Sequence, residues 1–133
     1  MTRSLTCIYF EDNADARLIL EMIFPINDMI LLVYEDSSIF FDKINCVEGE
    51  IACFILDIHI SPHSGFEMLK MLRSKKEYHD IPIIALTASV TKDEVDLLRN
   101  AGFSGAMSKP VDVALFPQVV LRILEGENIW AIG

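Results

Sequence analysis

Five short apolar runs alternate with five longer helical patterns, and this alternation constrains the fold more than any other feature of the chain. The runs are residues 6–10, 29–34, 52–56, 83–86 and 105–108. The first four are rich in Ile, Leu, Val, Phe and Tyr and are too short for buried helices. The fifth, Gly-Ala-Met-Ser, is weak as a strand by composition and is assigned as one because the alternation requires it.

Between the runs the apolar period lengthens to that of a helix. Residues 14–24 form a first helix, which Pro25 stops. Residues 38–47 carry Phe40, Ile44 and Val47 at i, i+4 and i+7. Residues 64–75 turn Phe66, Leu69 and Leu72 inward, and residues 91–100 lead to Gly102, a glycine placed to end a helix. The fifth pattern is the clearest, with Phe116, Val119, Val120, Ile123 and Leu124 on one face and Pro117 in the first turn. Strand–helix alternation repeated five times means βαβ units and a parallel sheet covered on both faces. Apolar runs without polar alternation are what doubly covered strands require. The expectation is an α/β, three-layer (βα)5 sandwich. Residues 128–133 form an apolar tail that either docks on the domain or marks the end of an excised piece.

At 133 residues the chain is the size of one domain, read as residues 1–127 plus the tail. Its formal net charge of −9 suits it poorly to the DNA backbone, so no direct nucleic-acid partner is expected. No apolar run approaches a membrane span, and the first residues lack the pattern of a signal peptide, so a cytoplasmic protein is expected. Cys7 and Cys53 lie inside apolar runs and, with Cys46, show no CxxC spacing. They read as reduced thiols rather than a metal or redox site.

In an open parallel sheet, ligands bind beyond the carboxyl ends of the strands. The polar residues following the runs are Glu11 and Asp12, Glu35 and Asp36, Asp57, Thr87, and Lys109 before Pro110. Clustered carboxylates repel one another unless a cation neutralises them, and oxygen ligands select a hard ion such as Mg²⁺ over Zn²⁺. Carboxylates, a hydroxyl and an ammonium at one edge suit a phosphoryl group, with a carboxylate as nucleophile. Each of these residues taken singly also reads as a solvated loop residue, and Glu35 and Asp36 are read so.

Four segments then carry a resemblance: Ile8-Tyr-Phe-Glu-Asp-Asn13, Phe54-Ile-Leu-Asp-Ile-His59 with Gly65 eight residues past the Asp, Ile83-Ile-Ala-Leu-Thr-Ala88, and Met107-Ser-Lys-Pro110. In this order, each closing a strand, they resemble the receiver domains of two-component response regulators, the CheY-like family. The resemblance implies strand order 2-1-3-4-5, which puts Glu11, Asp12 and Asp57 in one pocket. It implies that Asp57 accepts a phosphoryl group from a sensor histidine kinase or phosphotransfer protein. Asp12 and Asp57 would hold Mg²⁺ directly, with Glu11 through water and the backbone carbonyl of His59 as a further ligand. Thr87 would bond a phosphoryl oxygen, and Lys109, aimed by a cis bond to Pro110, would pair with the phosphate. The signal would reach a protein partner through the face of helix 4, strand 5 and helix 5. Such a chain is a signalling module rather than an enzyme.

Three departures stand out. Pro62 lies five residues past Asp57, where the family often has Pro at four. Ala106 stands where the family commonly has Tyr or Phe, so activation is expected to involve Thr87 and residues 88–91 with little rearrangement on strand 5. His59 reads as a solvent-facing rim residue, and His63 and His79 as loop residues. Other readings are a degenerate receiver used as a scaffold and a Mg²⁺-dependent phosphohydrolase of haloacid dehalogenase type. The phosphohydrolase would carry a second Asp at position 59, and this chain has His. A flavodoxin-like FMN binder shares the fold class but needs a Ser/Thr/Gly-rich loop after the first strand.

Overall fold

The computed structural model describes residues 5–88 and 91–131. Strands and helices alternate as β1 (Leu5–Phe10), α1 (Ala14–Ile23), β2 (Ile30–Tyr34), α2 (Phe40–Asn45), β3 (Glu50–Asp57), α3 (Gly65–Arg73), β4 (Ile83–Thr87), α4 (Lys92–Ala101), β5 (Gly105–Ser108), α5 (Phe116–Leu124) and β6 (Ile129–Ala131). The sheet is parallel in all its strand pairs, in the order β2-β1-β3-β4-β5-β6. The expected order 2-1-3-4-5 is there, but the expected five strands become six. Residues 129–131, read from the sequence as part of a tail, pair with β5 as Gly105 with Ile129, Ala106 with Trp130 and Met107 with Ala131. Ile132 and Gly133, the rest of that tail, lie outside the described residues, as do Ser89 and Val90 of the loop expected to move.

Each strand feeds two cores, because successive side chains point to opposite faces. Ile8, Phe10, Phe54, Leu56, Ile83, Ala85 and Ala106 face a core closed by Phe40 and Ile44 of α2, Met68, Leu69 and Leu72 of α3, and Leu98 of α4. Cys7, Tyr9, Cys53, Ile55, Ile84, Leu86 and Met107 face the other, closed by Leu20 of α1 and by Phe116, Val119, Val120 and Ile123 of α5. In the second core Cys7 and Cys53 are in register on β1 and β3, with their sulfurs 3.0 Å apart. The Cys7 thiol and burial together push the Cys53 thiol well above its ordinary pKa.

Helix ends follow local chemistry. Asn13 caps α1 by accepting from the Ala16 N–H at 2.8 Å. Ser64 and Glu67 form a reciprocal capping box at α3. Gly102 ends α4 at φ 105°, in the left-handed region that favours glycine. The second helix is shorter than residues 38–47. Asp36 Oδ1 takes the N–H and hydroxyl of Ser38, and Ile39 turns through φ 46°, so helical geometry starts only at Phe40.

Candidate functional site

β1 and β3 run side by side with Phe10 opposite Leu56, so the next residues, Glu11 and Asp57, meet at the carboxyl ends. β3 and β4 pair Asp57 with Leu86, and β4 and β5 pair Thr87 with Ser108. The Lys109 N–H then donates to the Thr87 carbonyl at 2.9 Å. Glu11, Asp12, Asp57, Thr87 and Lys109 therefore reach one edge from four strand ends.

The acids are sharply unequal in exposure. Glu11 is 0% and Asp57 4% exposed, whereas Asp12 is exposed. One carboxylate oxygen from each lies within 4.8 Å of the others. Lys109 Nζ stands 2.9 Å from Glu11 Oε1, 3.1 Å from Glu11 Oε2 and 3.5 Å from Asp57 Oδ1. The ammonium thus rests chiefly on Glu11 and bridges to Asp57. The His59 N–H donates to Asp57 Oδ1 at 3.2 Å, while His59 itself is exposed. Thr87 is fully buried. The Lys109–Pro110 bond is cis, as is Ser61–Pro62 in the loop that carries the displaced proline.

Two contacts on Glu11 were not foreseen. The Tyr9 O–H donates to Glu11 Oε1 at 2.9 Å, and the Asn13 N–H donates to Oε2 at 3.3 Å. Arg17 Nη1 donates to the Glu11 backbone carbonyl at 3.0 Å, tying α1 to the end of β1. Burial, followed by the charge and hydrogen bond of Glu11, holds the Tyr9 phenol far above its ordinary pKa, so it is a donor at neutral pH. Burial is also the first cause that raises the Glu11 carboxyl; Asp57 adds to it, and Lys109 opposes it. The signal for Tyr9 was its place two residues before Glu11, on the same face of a strand.

The remaining acids and histidines lie apart. Glu35 is exposed and 4.0 Å from Arg17, and Asp36 serves the turn before α2. His79 is exposed beside Asp80, and His63 sits in the loop before α3, its N–H donating to Ser37 Oγ. Ala106 is buried, with Ala85 on one side and Trp130 on the other.

Three carboxylates against one ammonium leave an excess of negative charge that a hard cation would neutralise. The donor set is all oxygen, and an exposed Asp12 leaves room for the waters Mg²⁺ keeps. The residues fit that ion.

A family model described as the response regulator receiver domain matches residues 8–121. The chain belongs to that family. Polar-differentiation response regulator DivK of Brucella ovis is 33% identical over 70 residues, which make up 53% of this chain and 57% of that relative's length. The chain thus matches a little over half the length of this curated relative. Among solved structures, chemotaxis response regulator CheY4 of Vibrio cholerae superposes with a TM-score of 0.79 at 18% identity, covering 90% of this chain and 98% of its own. The receiver domain of sensor histidine kinase PA1611 of Pseudomonas aeruginosa, with a magnesium ion coordinated in its active site cleft, gives 0.78 at 17% identity, covering 92% and 99%. At such identities these structures show the fold. The receiver fold, with its sheet of order 2-1-3-4-5, is what this chain adopts, and β6 is added at the edge. Receiver domains are signalling modules, and two-component signalling is the setting of this one.

Proposed function

We propose that this receiver domain is phosphorylated on Asp57 and passes the change to a protein partner. The observation that carries the reading is the placement of Asp57, nearly buried at the end of β3, among two further carboxylates and 3.5 Å from an ammonium. A carboxylate oxygen of Asp57 attacks the phosphorus of a phosphohistidine on a sensor kinase or phosphotransfer protein. The P–O bond forms as the P–N bond breaks, and the departing imidazole takes up a proton. Asp12 and Asp57, Glu11 through water, and the His59 carbonyl would hold Mg²⁺, which offsets charge on the phosphoryl oxygens. Lys109 pairs with the transferred group as a point charge, and Thr87 bonds one of its oxygens. The PA1611 receiver, with Mg²⁺ in its cleft, supports the same use of this acidic pocket.

The change is read at the face of α4, β5 and α5. Support for this comes from Thr87 and Lys109, which close β4 and β5 and are joined through the backbone. β6 lies against β5 on that same edge, so the surface offered to a partner includes it. No described helix is long and apolar enough to cross a membrane. With a net charge of −9, a cytoplasmic protein partner fits this surface better than nucleic acid.

Incubation with a small phosphodonor and Mg²⁺, followed by mass spectrometry, tests the proposal. The wild type should gain one phosphoryl group, borne by the peptide containing Asp57. Asp57→Asn should gain none, and uptake that persists in that variant would overturn the assignment.

A further inference from the structure

Lys109 has two demands on it. Its ammonium sits 2.9 and 3.1 Å from the two oxygens of Glu11, closer than its 3.5 Å approach to Asp57. A phosphoryl group on Asp57 would draw it away from Glu11. Glu11, at 0% exposure, would then be a buried carboxylate without its direct ion pair, facing Mg²⁺ only across a water, a costly state unless other donors hold it. Two other donors are in place. One is the Asn13 N–H, at 3.3 Å from Oε2. The shorter is the Tyr9 O–H, at 2.9 Å from Oε1, the oxygen that also receives the closer approach of Lys109.

Tyr9 is an unexpected residue in its position. It is fully buried in the middle layer, on the α1–α5 side of the sheet, where its neighbours are Cys7, Ile55 and Leu86. Packing there asks only for an apolar side chain, and a phenol adds an O–H that must find an acceptor. Glu11 is that acceptor. The hydroxyl reaches Glu11 from inside β1, two residues earlier, while Lys109 reaches it from just past the end of β5. The two donors therefore share Glu11 without displacing each other.

We infer that Tyr9 is a positioning residue: its hydroxyl retains the Glu11 carboxylate so that Lys109 can leave Glu11 for the phosphoryl group on Asp57. The inference rests on the phosphoacceptor reading and gives it a mechanism for releasing Lys109. Removing the hydroxyl makes Glu11 depend on Lys109, so the phosphoryl state becomes harder to reach although Tyr9 never touches it.

The test is the affinity for beryllofluoride, a phosphoryl mimic, at saturating Mg²⁺, followed by backbone amide NMR. Tyr9→Phe, Lys109→Ala and the double variant are compared with the wild type. Tyr9→Phe should bind about tenfold more weakly, the scale of a hydrogen bond to a charged group, with its amide spectrum otherwise preserved. In the Lys109→Ala background the same change should cost less than about twofold, because no ammonium remains to be released. Wild-type affinity in Tyr9→Phe overturns the inference. An equal loss in both backgrounds also overturns it, because Tyr9 would then act by another route. A collapsed spectrum for Tyr9→Phe makes the hydroxyl a packing requirement and overturns the inference as well. A wild type that binds no beryllofluoride strikes at the phosphoacceptor reading itself, and the inference falls with it.

Discussion

Glu11 holds a carboxylate at 0% exposure beside a second nearly buried one, with a single ammonium between them. Burial raises its pKa above the ordinary value of 4.5. A raised carboxyl contributes stability that is fully present below the unfolded value and is lost as pH rises through the folded one. Glu11→Gln never carries this charge. In chelator, the melting temperature of Glu11→Gln should therefore gain on the wild type as pH rises from 4.5 toward neutrality, and added Mg²⁺ should narrow the gap. Thermal melts at several pH values check this, and a gap that stays flat across the window contradicts it. At this scale the sequence was informative where chemistry and position coincide. Glu11, Asp12, Asp57, Thr87 and Lys109 each follow an apolar run, and a parallel sheet brings such residues to one edge. Tyr9 stayed hidden because an aromatic inside a strand reads as core. Its hydroxyl matters only once the spacing of two to Glu11 is taken as a shared face.

The elements follow the same division. Strands β1 to β4 and helix α5 were legible because their runs or periods are long and apolar enough to decide the matter. β5 was assigned from alternation alone, and its weakness as a strand has a structural reason. Gly105 has no Cβ; an added one would lie 2.6 Å from the Ile129 carbonyl oxygen and 2.6 Å from Cδ1 of Ile123. Ala106, beside it, leaves room for Trp130 in register. Small residues on β5 are therefore what admits β6. That relation could not be read locally, since β6 is three residues long and its partner looks unlike a strand. Gly105→Ala should push β6 away from β5 at a cost of about 1–3 kcal/mol, the range for overpacking. Hydrogen exchange at residues 129–131 provides the check. Protection there unchanged from the wild type would mean that the neighbours absorb the methyl without releasing the strand.

Across the whole molecule, the sheet connects the acidic edge to a single aromatic reporter. Trp130 is the only tryptophan in the chain. It sits on β6 in register with Ala106, and the Arg99 guanidinium of α4 lies 5.3 Å from its ring centre. The neighbouring strand β5 is fastened to β4 where the Lys109 N–H meets the Thr87 carbonyl, next to the two groups proposed to sense the phosphoryl group. On the proposed reading, a Thr87 drawn toward a phosphoryl oxygen, with Lys109 following, would change how β4 and β5 end. β5 in turn carries β6. Coupling of this kind amounts to about 1–3 kcal/mol and requires two states with different contacts. With no aromatic side chain on β5, Trp130 and its contact with Arg99 are the large groups on this edge placed to differ between those states. Beryllofluoride with Mg²⁺ should therefore shift the emission of Trp130 in the wild type and leave Asp57→Asn unchanged. Arg99→Ala should alter the emission before the mimic is added and reduce the later response. Silent emission from Trp130, while amide signals around Asp57 show the site saturated, would uncouple this edge from the pocket and move the output surface to α1, which Arg17 ties to the end of β1.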